Sequence, residues 1–215
     1  MVKIDTKHKL NSALIGIILF DGSMSKDHYL YIRHGGKQLD YTNEKVNFIS
    51  KYFIPKSIKE STDNLGNTYR YAYYNDYKLR FLYNNIYKNG KKTLGKNIIN
   101  RFDEITLAIM YMDDGCLGLH KDPKHEGVYR SREIHLNVQS FSFHEVEMLR
   151  RFLLNKWGLE FHITKDKGKP RMWCNTKNTI KFLEIVSPVI IDNFPTMYYK
   201  LDLKYKNKKI NFLPE

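Results

Sequence analysis

An apolar run that stops on Asp-Gly occurs twice in this chain, 93 positions apart. The first copy is Leu14-Ile15-Gly16-Ile17-Ile18-Leu19-Phe20-Asp21-Gly22, and the second is Leu107-Ala108-Ile109-Met110-Tyr111-Met112-Asp113-Asp114-Gly115. Runs that are apolar all round read as buried helices, and Gly is the usual residue that closes a helix. A carboxylate is costly to bury without a partner. One Asp-Gly read alone is a helix stop or a turn. Two at matched points of a repeat predict that Asp21 and Asp114 meet, the arrangement needed to hold divalent cations over phosphates.

The repeat extends beyond the two runs. After Gly22, Leu30 and Ile32 alternate with Tyr29, Tyr31 and Arg33, which reads as a half-buried strand with a polar, basic open face. Past Gly35-Gly36, Tyr41, Lys45, Phe48 and Tyr52 fall at helical spacing, and Pro55 closes the stretch. Residues 61–80 read as a hairpin turning at Asn64-Leu65-Gly66-Asn67, with Thr68–Tyr74 as its Tyr/Arg strand. In the second half Ile134, Leu136 and Val138 alternate with His135, Asn137 and Gln139. A helix from Ser142 to Trp157 follows, with Ser142 and Glu145 in a capping-box pattern. Phe161–Lys165 and Pro170–Cys174 flank the turn Asp166-Lys167-Gly168-Lys169, and a last helix passes through Ile180–Ile185.

The fold class expected is therefore α+β, with two pseudo-symmetric αββαββα units at about 8–95 and 100–205 and subdomains at 1–95 and 96–215. Asn89–Phe102 reads as a short, basic, loop-like link, so the halves should pack rather than swing.

The net charge of +13 is spread over both halves, +8 in residues 1–95 and +5 in 96–215. A polyanion contacted along the whole molecule fits that spread; lysine that merely keeps the chain soluble fits it less well. A composition rich in Lys, Asn, Ile and Tyr also suits an A+T-rich genome. Cys116 and Cys174 make no disulfide framework, and no Cys/His cluster has zinc spacing. The expected setting is reducing and intracellular, whether an organelle or a bacterial or phage-infected cytoplasm. The longest apolar run, Ala13–Phe20, falls far short of the roughly 20 residues that span a bilayer, so no membrane partner is expected. The N-terminus, Met1–Asp5, has no secretory pattern.

These features resemble the LAGLIDADG homing endonucleases in their monomeric, two-motif, intron-encoded form. The likeness rests on Ala13–Gly22 and Leu107–Gly115, on Leu136-Asn137-Val138-Gln139-Ser140-Phe141, on Lys91-Lys92-Thr93 and on Met197-Tyr198-Tyr199-Lys200-Leu201. Together these are specific, where one nonamer would be weak. The resemblance implies a saddle of two antiparallel four-stranded sheets along the major groove of double-stranded DNA, with the motif helices side by side at its centre. It implies that Asp21 and Asp114, with the backbone of Gly22 and Gly115, hold two or more Mg²⁺ ions, for which Mn²⁺ substitutes. Both strands of a long asymmetric target are then cut, leaving short 3′ overhangs. One departure is that the small third residue of the motif is Gly16 in the first copy but Ile109 in the second, which leaves the helix crossing open.

The resemblance also implies active-site roles for Lys92, Lys200 and Gln139. An ammonium beside a pentacovalent phosphorane stabilises its growing charge; Lys91 competes with Lys92 for that role. The first-half counterpart of Gln139 is Arg33 by sheet parity or His34 by distance to the next helix. Asp113 has a supporting role, unless the register is one residue off and it is the ligand. Tyr29, Tyr31, Arg33, Arg70, His135, Asn137, Lys169 and Arg171 are candidates for groove contacts, since Arg pairs with guanine, Asn with adenine and Lys mostly with phosphate. The tail Lys204–Lys209 is a candidate for phosphate backbone. Competing functions are an RNA maturase assisting a group I intron, and a catalytically silent DNA-binding regulator. The presence of Asp21, Asp114, Lys92 and Lys200 favours cleavage over both. With both motifs in one chain, a monomer is expected.

Overall fold

The computed structural model describes residues 6–50, 53–124 and 129–201. Tyr52 and the tail Lys204–Lys209 lie outside them. Helix α1 (Thr6–Leu19) leads into β1 (Ser23–Met24), β2 (Tyr29–Gly35), α2 (Leu39–Ser50), β3 (Ser57–Thr62), β4 (Thr68–Asn75) and α3 (Leu79–Ile86). A small hairpin, β5 (Tyr87–Lys88) and β6 (Lys91–Lys92), and a helical turn, α4 (Lys96–Ile99), connect the halves. The second half repeats the order as α5 (Glu104–Asp114), β7 (Gly115–Lys121), β8 (Tyr129–Leu136), α6 (Phe143–Trp157), β9 (His162–Asp166), β10 (Lys169–Cys174) and α7 (Thr176–Asn193). A 3₁₀ turn, Pro195–Lys200, follows.

Each half holds one antiparallel four-stranded sheet, in the order β1-β2-β4-β3 in the first and β7-β8-β10-β9 in the second. Both have the same connectivity, so the sequence repeat is a structural repeat. One face of each sheet is covered by helices and the other is open. In β2, Leu30, Ile32 and His34 are buried while Tyr31 and Arg33 are exposed, which is the period-two pattern of a one-sided sheet. Ile134 and Leu136 do the same in β8.

Helices α1 and α5 lie at the seam and pack on each other. Residues 12–20 and 105–112 are buried without interruption, because each helix meets its own sheet on one side and its mate on the other. Asp103 caps α5 by accepting from the backbone N–H groups of Ile105 and Thr106, both at 3.0 Å. Thr106 then donates to the carbonyl of Ser12 at 2.9 Å, tying α5 to α1. The Ser142–Glu145 capping box is present as the sequence predicts.

The link between the halves is not a loop. Asn89 and Gly90 both have positive φ (51° and 75°), as a two-residue type I′ hairpin turn requires, and they join β5 to β6. Leu94, Ile98, Ile99 and Phe102 are buried in the common core. The basic residues hide an apolar pattern that burial, not charge, decides.

Candidate active site and nucleic-acid face

Asp21 and Asp114 stand at the C-terminal ends of α1 and α5. Their glycines are there for space. A Cβ on Gly22 would stand 2.5 Å from the carbonyl oxygen of Ile17, and one on Gly115 would stand 2.5 Å from that of Tyr111. With glycine, the Gly22 N–H donates to Ile17 O at 2.7 Å, and the Gly115 N–H donates to Tyr111 O. The chain then turns straight into the first strand of each sheet.

The last carbonyls of a helix have no partner within it. Here each set is met by a lysine from a distant element. Lys92, delivered by the β5–β6 hairpin, donates to the carbonyls of Phe20 and Gly22, both at 2.7 Å. Lys200, at the end of the 3₁₀ turn, donates to those of Gly115 at 2.8 Å and Tyr111 at 3.3 Å. A cation at the negative end of a helix is favourable in itself. Burial holds both ammonium groups below the ordinary lysine range, against the pull of the three nearby carboxylates. Lys92 is the one that holds the helix carbonyls, whereas Lys91 is exposed and lines the cleft beside Asp114. The carbonyls of Gly22 and Gly115 thus serve as lysine acceptors.

Burial raises Asp114 to about 7, with the charges of Asp21 and Asp113 adding to it. Asp21 is also raised, by burial first and then by Asp113. The charges of Asp21 and Asp113 thus act on Asp114, and that of Asp113 acts on Asp21. An oxygen-rich, mutually repelling set of this kind suits a hard divalent cation, whose charge relieves the repulsion. A cleft beside Asp114 is lined by Phe20, Lys92, Asn137 and Gln139. The Gln139 amide donates to Asp166 at 3.0 Å, which fixes its orientation on the open side of the second sheet.

Asp113 is engaged elsewhere. Its carboxylate and the Lys45 side chain are fully buried and paired at 2.7 Å. It also accepts from the Tyr41 hydroxyl at 2.8 Å and from the backbone N–H of Asp21 at 3.3 Å. Lys45 also donates to His34 Nε2 at 3.0 Å. An ammonium can only donate, so His34 carries its proton on Nδ1, which faces Asp21 Oδ2 at 3.7 Å. Burial, then the charge of Lys45, push the His34 pKa down to about 2, so the imidazole is neutral and this contact is not an ion pair. Ligand atoms of Asp21, His34 and Asp113 lie within 4.8 Å of one another, but Lys45 and Tyr41 already occupy the last two. Asp113 thus balances the charge of Lys45 and accepts the Asp21 N–H, which leaves Asp21 and Asp114 as the carboxylates that could hold a cation. Sequence reading missed this network because Lys45 and Tyr41 look like ordinary members of a helical stripe.

Strand pairing decides which residues share the open faces. On the first sheet these are Tyr29, Tyr31 and Arg33 of β2 with Tyr69, Tyr71 and Tyr73 of β4. The Arg33 guanidinium lies 3.9 Å over the Tyr69 ring, and Tyr73 packs against Tyr29 and Tyr31 at 5.3 and 5.2 Å. Arg70 is not among them. It pairs with His34 in register, so it points to the helix side, where Glu60 and Asp40 engage it. The second open face carries His135, Asn137, Lys169 and Arg171, together with His162 and Trp173, which the sequence reading passed over. Register also settles the counterpart of Gln139. Ser23 opposes Tyr31 as Cys116 opposes His135, so Arg33 stands where Asn137 does and His34 where Val138 does. Gly35 takes the place of Gln139, and neither Arg33 nor His34 matches it.

A probable intron-encoded endonuclease of Wickerhamomyces canadensis is 29% identical over 196 residues, covering 87% of this chain and 81% of that protein. A cytochrome b mRNA maturase, bI2, of Saccharomyces cerevisiae is 30% identical over 86% of this chain and 41% of that protein. A RecA protein of Mycolicibacterium flavescens is 27% identical over 211 residues, covering 91% of this chain. The chain spans about half the length of that relative, 47%. Among solved structures, the homing endonuclease I-WcaI bound to its DNA recognition sequence superposes with a TM-score of 0.72 at 26% identity, covering 90% of this chain and 86% of that one. The fold is also that of I-DmoI, in a single-residue variant with its target DNA and Mg (TM-score 0.52, 15% identity, 85% of this chain and 97% of that one). The model of the LAGLIDADG DNA endonuclease family matches residues 11–182, a span that takes in both Asp-Gly helix ends and both sheets, and the chain belongs to that family.

Proposed function

We propose that the protein is a site-specific endonuclease that hydrolyses one phosphodiester bond in each strand of a long, asymmetric DNA duplex, using Mg²⁺ and leaving short 3′ overhangs. The observation that carries this reading is that Lys92 and Lys200 each donate to backbone carbonyls at the Asp-Gly end of one of two helices packed on each other. Two bonds on opposite strands need two sets of groups at one seam. Asp21 and Asp114 would hold two or more divalent cations, with Mn²⁺ able to replace Mg²⁺. When bound, the cations supply Lewis-acid charge at the phosphate oxygens.

The rest falls to the side chains. Each lysine spends two N–H donors on helix carbonyls, and its third is left to face the phosphate and stabilise charge on the phosphorane. Gln139, oriented by Asp166, lies on the same cleft and orders water beside Asp114. The Tyr/Arg face and the His/Asn/Arg face lie along the major groove, reading base edges and phosphates. We place the boundary between the two subdomains at 95/96, and both act within one chain as a monomer in an intracellular setting. Among the described residues no helix is long and apolar enough to cross a membrane.

The test is Asp21→Asn and Asp114→Asn, assayed on a target recovered by selecting cleaved sites from a random duplex library. Double-strand cutting should vanish while DNA binding persists; normal cutting by both variants with Mg²⁺ sinks the assignment. A second reading, assistance to splicing of a group I intron RNA, draws on the similarity to the maturase. Under it, splicing in vitro survives both substitutions and the wild type cuts no duplex.

A further inference from the structure

The two halves differ at one place close to the proposed chemistry. Strand register relates Tyr31 to His135, an offset of 104 positions. The buried stripe of α2 (Thr42, Lys45 and Ile49) matches that of α6 (Val146, Leu149 and Leu153) at the same offset. His34 therefore takes the place of Val138, Lys45 that of Leu149, and Asp113, by the alignment of the motifs, that of Phe20. Val138 and Leu149 are fully buried and Phe20 is 6% exposed. One set of these places, Phe20, Val138 and Leu149, is apolar, while its counterpart, Asp113, His34 and Lys45, is a buried ion pair and an imidazole, and each set draws on both halves.

A buried ion pair carries a desolvation penalty that apolar side chains of similar volume avoid. What the polar set adds is contact with Asp21. Asp113 accepts the Asp21 backbone N–H at 3.3 Å, and His34 Nδ1 faces its carboxylate at 3.7 Å. Lys45 joins the two, donating to Asp113 at 2.7 and 2.9 Å and to His34 at 3.0 Å. On the other side, only the main chain of Asp114 is held in this way, its carbonyl accepting from Asn137 N–H at 2.9 Å. Among the described residues neither the Asp21 nor the Asp114 carboxylate accepts a hydrogen bond, and what distinguishes Asp21 is the imidazole N–H that faces it at 3.7 Å.

Resting on the nuclease reading, we infer that Asp113, Lys45 and His34 form a strand-selective positioning device: they align Asp21 but not Asp114, so the two DNA strands are cut at sites of unequal construction. Disrupting the device leaves a nickase. Asp113 crosses from the second half into the first to do this, so the scissile site at Asp21 is built by both halves. The site at Asp114 is backed by apolar packing instead.

The test is single-turnover cleavage with Mg²⁺ of a supercoiled plasmid carrying a selected target, with each strand followed separately by end label. In Asp113→Asn, cutting of one strand falls by roughly 10- to 100-fold, the cost of a misplaced reacting group. The other strand keeps its wild-type rate, and nicked circles accumulate. Should that variant fail to fold, the double variant Lys45→Met/Asp113→Leu fills the pocket with apolar groups, as Leu149 and Phe20 do at the equivalent places, and shows the same single-strand defect. Equal slowing of both strands, or none in the folded double variant, overturns the inference. A wild type that cuts neither strand overturns the nuclease reading itself, and with it this one.

Discussion

A Cβ added to Gly16 would stand 3.0 Å from the Cβ of Ile109, so the motif helices cross with an isoleucine seated in a glycine notch. The two residues hold the same position in the two motif copies. Facing positions at a pseudo-dyad cannot both be large, and here one supplies the space that the other fills.

Changing either partner should therefore cost stability, in opposite ways. Gly16→Ala overpacks the crossing at a cost of about 1–3 kcal/mol, offset in part by the roughly 0.5–1 kcal/mol that alanine gains over glycine within a helix. Ile109→Ala leaves a cavity and should cost about 2–5 kcal/mol. In the combined variant the added methyl grows into the vacated space, so urea unfolding should show less than the sum, by about 0.5–3 kcal/mol. Strict additivity would show that the residues do not meet.

Lys92 and Lys200 hold helix-end carbonyls beside the proposed chemistry, whereas Lys91, exposed in the same cleft, donates to no helix carbonyl among the described residues. Lys92→Met and Lys200→Met should each slow cleavage by roughly 100- to 1000-fold, the range for losing a transition-state donor. Target affinity in a binding assay should change little. Lys91→Met should cut at the wild-type rate. If it is as damaging as Lys92→Met, the assignment within that pair is wrong.

Asp114 gives a pH signature in the metal-free protein. Its carboxyl is raised from 3.8 to about 7 by burial and by Asp21 and Asp113, so the folded state binds its proton more tightly than the unfolded chain does. This contribution is fully present below about pH 4, falls as pH rises through the window up to about 7, and is flat above it. A divalent cation competes with that proton. Thermal melts should thus show a larger Mg²⁺-induced rise in Tm at pH 8 than at pH 6, and Asp114→Asn should remove most of the difference. An equal rise at both pH values would contradict the shared site.

The two arginines of the first sheet should behave oppositely. Arg33 lies on the open face over Tyr69, while Arg70 is held by Glu60 and Asp40 on the helix side. Arg33→Ala should weaken duplex binding and flatten the dependence of log Kd on log salt by about one phosphate contact. Arg70→Ala should leave that slope unchanged and lower stability slightly, since exposed pairs contribute about 0–1 kcal/mol. A salt slope that responds to Arg70 rather than Arg33 would reverse the face assignment.

Much of the fold was legible because its signals are local. Periodicity, the Ser142 capping box and Gly-containing turns gave the element order, and the repeated Asp-Gly run gave the symmetry. The face of β4 was not legible. Tyr69, Tyr71, Tyr73 and Tyr74 put the same residue type on both sides of the strand, so alternation could not tell which side Arg70 takes. The link around Asn89-Gly90 was misjudged for a related reason: its lysines masked a hairpin signal and the buried residues Leu94, Ile98 and Ile99.

The chain alone determined that two buried helices end in carboxylates at matched points of a repeat, because apolar periodicity and the spacing of Asp-Gly are written residue by residue. It could not determine that Lys45 is buried, for a lysine on a helix has no reason to leave water until a charge awaits it. That charge is Asp113, 68 positions away and in the other half. Only the packing of one half on the other brings the two together, and the desolvation that makes the pairing obligatory exists only once that seam has closed.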